Sequence, residues 1–206
     1  MKQENTKQKI LDTALRLFSD RGYDSVTVDD IAKEVGIKAP SLYNHYSGKR
    51  AIFDAIVEST AARYASDTDK IDIHVEDSAN DSDMFKQIDE NFLFKKVKSI
   101  FEYSLHDETI RNFRKMMTIE QFRSSEFGAM YSERFVDRLI RYHKGIFCAL
   151  VNSGEISGDP EALAWMYVSP VLAFIGICDR EPGREEECLK KLKAHVNLFY
   201  ATVHKK

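Results

Sequence analysis

Residues 36–50 read GIKAPSLYNHYSGKR. Gly36 is a glycine of the kind that ends a helix, and Pro40 suits the first turn of the next one, where a missing N–H costs nothing. Leu42 is the one clear core residue of this short helix, with Tyr46 four residues on along the same edge. Around them stand Lys38, Ala39, Ser41, Tyr43, Asn44, His45 and Lys49. A helix face turned only to water has no use for such a set. A face turned to DNA uses every type in it: hydroxyls and cations for phosphate oxygens, a carboxamide for adenine, a small residue for close approach.

Upstream, Ile10, Leu11, Ala14, Leu15, Leu17 and Phe18 recur at helical spacing, and Gly22 fits a left-handed C-cap. Thr27 and Asp30 make a capping box with Asp in the place of Glu, and Val28, Ile31, Ala32 and Val35 form the stripe that follows. Two short helices joined by a tight glycine turn are a helix-turn-helix, whose second helix enters the major groove. Downstream, Ser47 is placed to cap a fourth helix in which Ile52, Phe53, Ile56 and Val57 continue a stripe towards Tyr64.

The stretch 10–57 resembles the N-terminal domain of the TetR family of transcriptional regulators. The resemblance rests on A-L-R-L-F followed by G-Y, on T-V-D-D-I-A, on G-I-K-A-P-S-L-Y-N-H-Y and on K-R-A-I-F. It implies an all-α fold: a helix-turn-helix domain over residues 1–48, and a helical ligand-binding and dimerisation domain over 49–206, with the helix from about 49 linking the two. It implies a repressor that binds near-palindromic operator DNA as a homodimer and answers to a small-molecule effector. Residue by residue, it implies Thr27 on a phosphate, Lys38, Ala39, Ser41, Tyr43, Asn44 and His45 on the reading surface, and Lys49 clamping the backbone. Tyr46 joins the DNA-binding set through its hydroxyl or packs beneath the fourth helix.

Charge alone would not suggest DNA. The 206 residues carry a net −3, but residues 1–50 hold nine Lys or Arg against seven Asp or Glu, and the remainder is acidic. With 43% hydrophobic residues, four prolines and nine glycines, the chain reads as globular and helix-rich. Three cysteines without a C-x-x-C pair fit a reducing cytoplasm, and MKQENTKQKI has no apolar segment of the signal-peptide kind. The apolar run 162–178 is broken by Ser169 and Pro170 and reads as a buried helix, so no membrane partner is expected.

Residues 66–91 are acidic and weakly apolar and read as a connection. Helices are expected at about 92–106, 108–124, 127–152, 159–179 and 184–203, punctuated by Asp159-Pro160 and Pro182-Gly183. Their apolar residues must serve a core, a pocket and an interface. Met117, Gln121, Phe122, Tyr142, Trp165 and Met166 are the candidates for an effector pocket, with Gln121 as the polar group that orients a largely apolar ligand. Leu189, Leu192, Val196, Phe199 and Val203 form a stripe at three- and four-residue spacing, and Leu163, Val171, Phe174 and Ile175 give the preceding helix apolar faces. These nine are the expected dimer contact, a four-helix bundle. His106, Asp107 and Glu108 are adjacent, which marks a helix boundary and not a metal site. No catalytic constellation, metal site or cofactor motif stands out. The rival classes are a helical protein–protein adaptor that keeps the scaffold without reading DNA, and a ferritin-like enzyme, which would need E-x-x-H pairs that the sequence lacks.

Overall fold

The computed structural model describes residues 2–70, 81, 85 and 89–204. Among these the chain is helical throughout: α1 Lys2–Arg21, α2 Val28–Val35, α3 Ala39–Tyr43, α4 Lys49–Asp69, α5 Glu90–His106, α6 Glu108–Glu120, α7 Ser125–Ser132, α8 Arg138–Asn152, α9 Pro160–Arg180 and α10 Glu185–Val203. Most of the expected 66–91 connection lies outside the described residues, and α4 runs on through its first four positions to Asp69. The long helix expected over 127–152 is interrupted. A π-helical turn at Glu133–Asp137 joins α7 to α8, an insertion of the kind that shifts the register of side chains along a helix.

Local chemistry sets most boundaries. Gly22 takes φ +80 and its N–H closes on the Phe18 carbonyl at 2.9 Å. Gly36 takes φ +82 and donates to Ala32 and Lys33; both positions favour a residue without Cβ. The Thr27–Asp30 capping box is present in both directions. Asp107 and Asp159 cap α6 and α9, accepting from the Ile110 and Ala162 N–H groups. The fourth helix starts on Gly48, whose carbonyl accepts from Ile52, and not on Ser47.

The chain packs as two compact units, Met1–Tyr64 with Asp107–Tyr131, and Ala65–His106 with Ser132–Lys206. In the first, α6 lies along α1. Ile10, Phe18, Leu42, Ile52, Phe53, Phe113, Met116 and Met117 are fully buried there, which at roughly 1.5–3 kcal/mol per side chain is ample for a small head. In the second, α9 packs between α8 and α10, with α5 alongside. Helix α9 is long and apolar enough to cross a membrane by length and composition, but its Leu163, Ala164, Tyr167, Val168, Ile175 and Cys178 are buried in this unit's core.

That core corrects the expected dimer contact. Leu163, Ile175, Leu192, Val196, Phe199 and Val203 are buried inside their own chain, and Val171, Phe174 and Leu189 pack against them part-buried. The spacing of a stripe shows that a face is buried but not against which partner. The large apolar side chains left exposed on these two helices are Trp165, Met166 and Leu198, the last 69% exposed.

Candidate nucleic-acid interface

The head is built so that α3 can present its outer face. Leu42 is wholly buried and anchors the helix, while its carbonyl accepts from the His45 and Tyr46 N–H groups and closes the C-terminal turn. Pro40 sits in the first turn, and Lys38 at the N-cap makes no side-chain capping bond. What remains outward is Lys38, Tyr43 and Asn44, exposed, with Ala39, Ser41 and His45 half-buried beside them. Tyr43 leaves 53% of its surface to solvent, unusual for a tyrosine with no intramolecular task.

Thr27 is exposed at the start of α2. Its hydroxyl accepts from the Asp30 N–H at 3.1 Å and donates to the Asp30 carboxylate at 2.6 Å. The Thr27 hydroxyl and N–H together hold the Asp30 carboxyl below its usual range.

Two expected contacts are turned elsewhere. Tyr46 is buried, its hydroxyl has no partner among the described residues, and burial raises its pKa. The period that places it four residues after Leu42 makes it part of the core edge, with the Lys7 ammonium over its ring at 5.4 Å. Lys49 is directed inward. Its ammonium donates to the Tyr23 carbonyl at 2.8 Å, lies 3.4 Å from that of Asp24, and sits over the Tyr23 ring at 4.3 Å. It latches the loop after α1 to the start of α4.

Arg50 and Glu120 have structural roles that sequence spacing did not reveal. Arg50 grips the Glu126 carboxylate through two nitrogens at 2.6 and 3.1 Å and reaches Asp54 at 2.8 Å. Glu120 is fully buried and accepts from the Tyr23 N–H at 2.8 Å, 97 residues away. Lys115–Asp20 and Arg123–Asp24 add ion pairs at 3.0 Å. The end of α6 and the turn after it therefore hold the loop that precedes α2, and a partner nearly a hundred residues distant leaves no local signal.

Residues 10–56 match the family model of bacterial regulatory proteins, tetR family. Over that stretch the head is similar to the bacterial regulators of the tetR family. Similar curated proteins include the biofilm operon icaADBC HTH-type negative transcriptional regulator IcaR of Staphylococcus aureus (strain Newman), 52% identical over 52 residues, which are 25% of this chain and 28% of the relative. The IcaR of Staphylococcus epidermidis is 53% identical over 53 residues, 26% and 29% of the two chains. The match thus spans under a third of these relatives' length. The fold likeness reaches further. A putative TetR-family transcriptional regulator from Mesorhizobium loti aligns over 100% of both chains with a TM-score of 0.73 and 19% identity. A SmeT–triclosan complex aligns over 98% of this chain and 93% of that one, also with a TM-score of 0.73 and 19% identity.

The six candidate pocket residues do not share one enclosure. Met117 is core in the TetR-type head unit, Gln121 caps α6 and bonds the Thr118 carbonyl, and Phe122 stands 87% exposed in the following turn. In the other unit the Tyr142 hydroxyl donates to the buried Asp81 carboxylate, while Trp165 and Met166 lie on the outer surface of α9. The cavity of this second unit is lined by other residues, among them Leu93, Phe147, Leu150, Tyr167, Phe199 and His204, and holds about 30 Å³. No cluster of three metal-ligating side chains occurs among the described residues.

Proposed function

We propose that this regulator is an effector-responsive repressor that binds near-palindromic operator DNA as a homodimer in the cytoplasm. The observation that carries the reading is the outward face of α3, where Tyr43 and Asn44 stand exposed on a helix anchored by Leu42. Lys38, Ala39, Ser41 and His45 complete that surface, and Thr27 places the first turn of α2 against a phosphate, where exposed N–H groups favour an anion. Residues 1–48 read DNA, and the chain from Lys49 onward carries the switch.

Dimerisation uses the outer faces of α9 and α10. Trp165, Met166 and Leu198 are apolar, exposed and on the last two helices, a combination that favours a protein contact. Packing this pair on its two-fold mate sets two reading helices about one DNA turn apart, ~34–36 Å.

The effector is organic and largely apolar, taken up in the second unit, where aromatic and aliphatic side chains line the cavity. At about 30 Å³ that cavity holds a water and not a drug-sized molecule, which requires ~300 Å³ or more, so binding must part the helices. Such a ligand favours one arrangement of the unit, and its differential affinity is what α4 transmits.

The test is selection of binding sites from a random duplex pool by the full chain, followed by mobility shift. Recovery of a palindrome bound by two chains is the expected result. Recovery of no sequence would favour the protein–protein adaptor.

A further inference from the structure

The head contains a groove that DNA reading does not use. It lies between α1, α4 and α6 and has a volume of about 700 Å³. Leu11, Leu15 and Ile56 form an apolar floor. Above it are hydrogen-bonding groups from all three helices, among them Asp12 and Arg16 from α1, Thr60 from α4, and Thr109 and Asn112 from α6.

Two features set its chemistry. The first is charge. The groove carries two carboxylates, Asp12 and Glu108, and two guanidiniums, so its formal charge is zero. Its cations are engaged: Arg63 donates to Asp107 at 2.6 Å and Arg16 to Glu34 at 2.6 Å. Asp12 accepts from the Gln8 carboxamide at 2.9 Å. An anion entering here would compete with the carboxylates that already hold both guanidiniums. The second feature is Thr60. It is 2% exposed, lines the groove, and its hydroxyl has no hydrogen-bond partner among the described residues. A threonine inside a helix ordinarily bonds a carbonyl three or four residues back, as Thr68 does to Ala65 in the same helix. An unmade bond of this kind is costly in a buried place. Asn112 adds a carboxamide with both donor and acceptor capacity.

We propose that this groove is a binding site for a neutral, polyhydroxylated small molecule of the carbohydrate class. Hydroxyls on one edge of such a molecule satisfy the Thr60, Asn112 and Thr109 groups, and its C–H face covers Leu11, Leu15 and Ile56. The site is separate from the apolar cavity of the second unit and lies wholly within the head, so its ligand ties α6 to α1 and α4.

The experiment uses the full chain without DNA and a fixed panel of glucose, galactose, maltose and trehalose, read by saturation-transfer NMR and calorimetry. At least one sugar should bind the wild type. Thr60→Val keeps the side-chain shape and removes the unpaired hydroxyl. Asn112→Leu removes the carboxamide at a partly exposed position. Each should weaken the sugar by about tenfold, the worth of about one hydrogen bond. A loss in either folded variant assigns the sugar to the groove. If no sugar of the panel binds, or if both folded variants hold the one that binds as tightly as the wild type does, the proposal is overturned. Because no DNA is present, that failure leaves the operator reading standing, and failure of operator binding leaves this site standing.

Discussion

Helices α3 and α10 both present one apolar edge and one wet face, but the wet faces differ in kind. On α3 it carries tyrosine, asparagine and lysine around a single buried leucine. On α10 it carries Lys190, Lys191, Lys193 and one exposed leucine, Leu198, while Leu192, Val196, Phe199 and Val203 fill the core. A side chain that hydration alone would not select is informative by its type. An apolar side chain at helical spacing is informative only about being buried, because core, pocket and interface all accept it. The side-chain types on α3 therefore point to a task, whereas the stripe on α10 acquires a meaning only once its contacts are known.

The largest test of that contrast sits on a single helix. Leu192→Ala should cost about 2–5 kcal/mol in chemical denaturation, as a fully buried leucine does, without abolishing dimers in sedimentation at concentrations where the variant is folded. Leu198→Arg should do the reverse, giving a folded monomer, because an arginine at the centre of an apolar contact buries an unpaired charge. If Leu198→Arg remains a dimer, the outer face of α9 and α10 is not the interface.

Thr27→Ala should lower the stability of the head by about 1 kcal/mol through loss of the N-cap. An unchanged midpoint would mean that the capping box adds nothing to folding. A pH dependence is expected from the second unit. His143 lies against Tyr142 and Tyr167, at 4.9 and 5.1 Å between ring centroids, with Nδ1 2.8 Å from the Leu139 carbonyl. Burial pushes its pKa down to about 4, so the unfolded chain, with histidine near 6.5, takes up a proton first. The stability from this group is complete above 6.5 and declines as pH falls towards 4. Thermal melts should show that decline shrinking in His143→Gln; identical pH profiles would contradict the assignment.

Much of the head was legible in the sequence. The left-handed glycines at 22 and 36, the Thr27–Asp30 box and the burial of Leu42 each follow from neighbours a few residues away. The latch made by Lys49 is not legible, because its partners are the carbonyls of Tyr23 and Asp24, and backbone acceptors leave no trace in composition. Glu120 was missed because the amide it serves belongs to a distant loop. In the second unit the helices lie within a few residues of where the sequence pattern puts them, but the stripe on α10 packs into its own chain's core. Periodicity gives the direction of a face along its helix; only packing tells what lies opposite. The π-helical turn at Glu133–Asp137 lies within an uninterrupted helical pattern, so no boundary signal marked it.

The central claim is that α3 reads DNA through its exposed face. Its most direct test is a salt titration of operator affinity, by fluorescence anisotropy, for wild type, Tyr43→Ala and Lys38→Ala on a selected palindrome. The wild type should lose affinity linearly in log K against log salt, with two chains per duplex. Tyr43→Ala should bind about 1–3 kcal/mol more weakly, a factor of about 5–150, while keeping its fold. Lys38→Ala should flatten the salt slope by about one unit if its ammonium meets a phosphate. Affinity and slope unchanged in both folded variants would contradict the account.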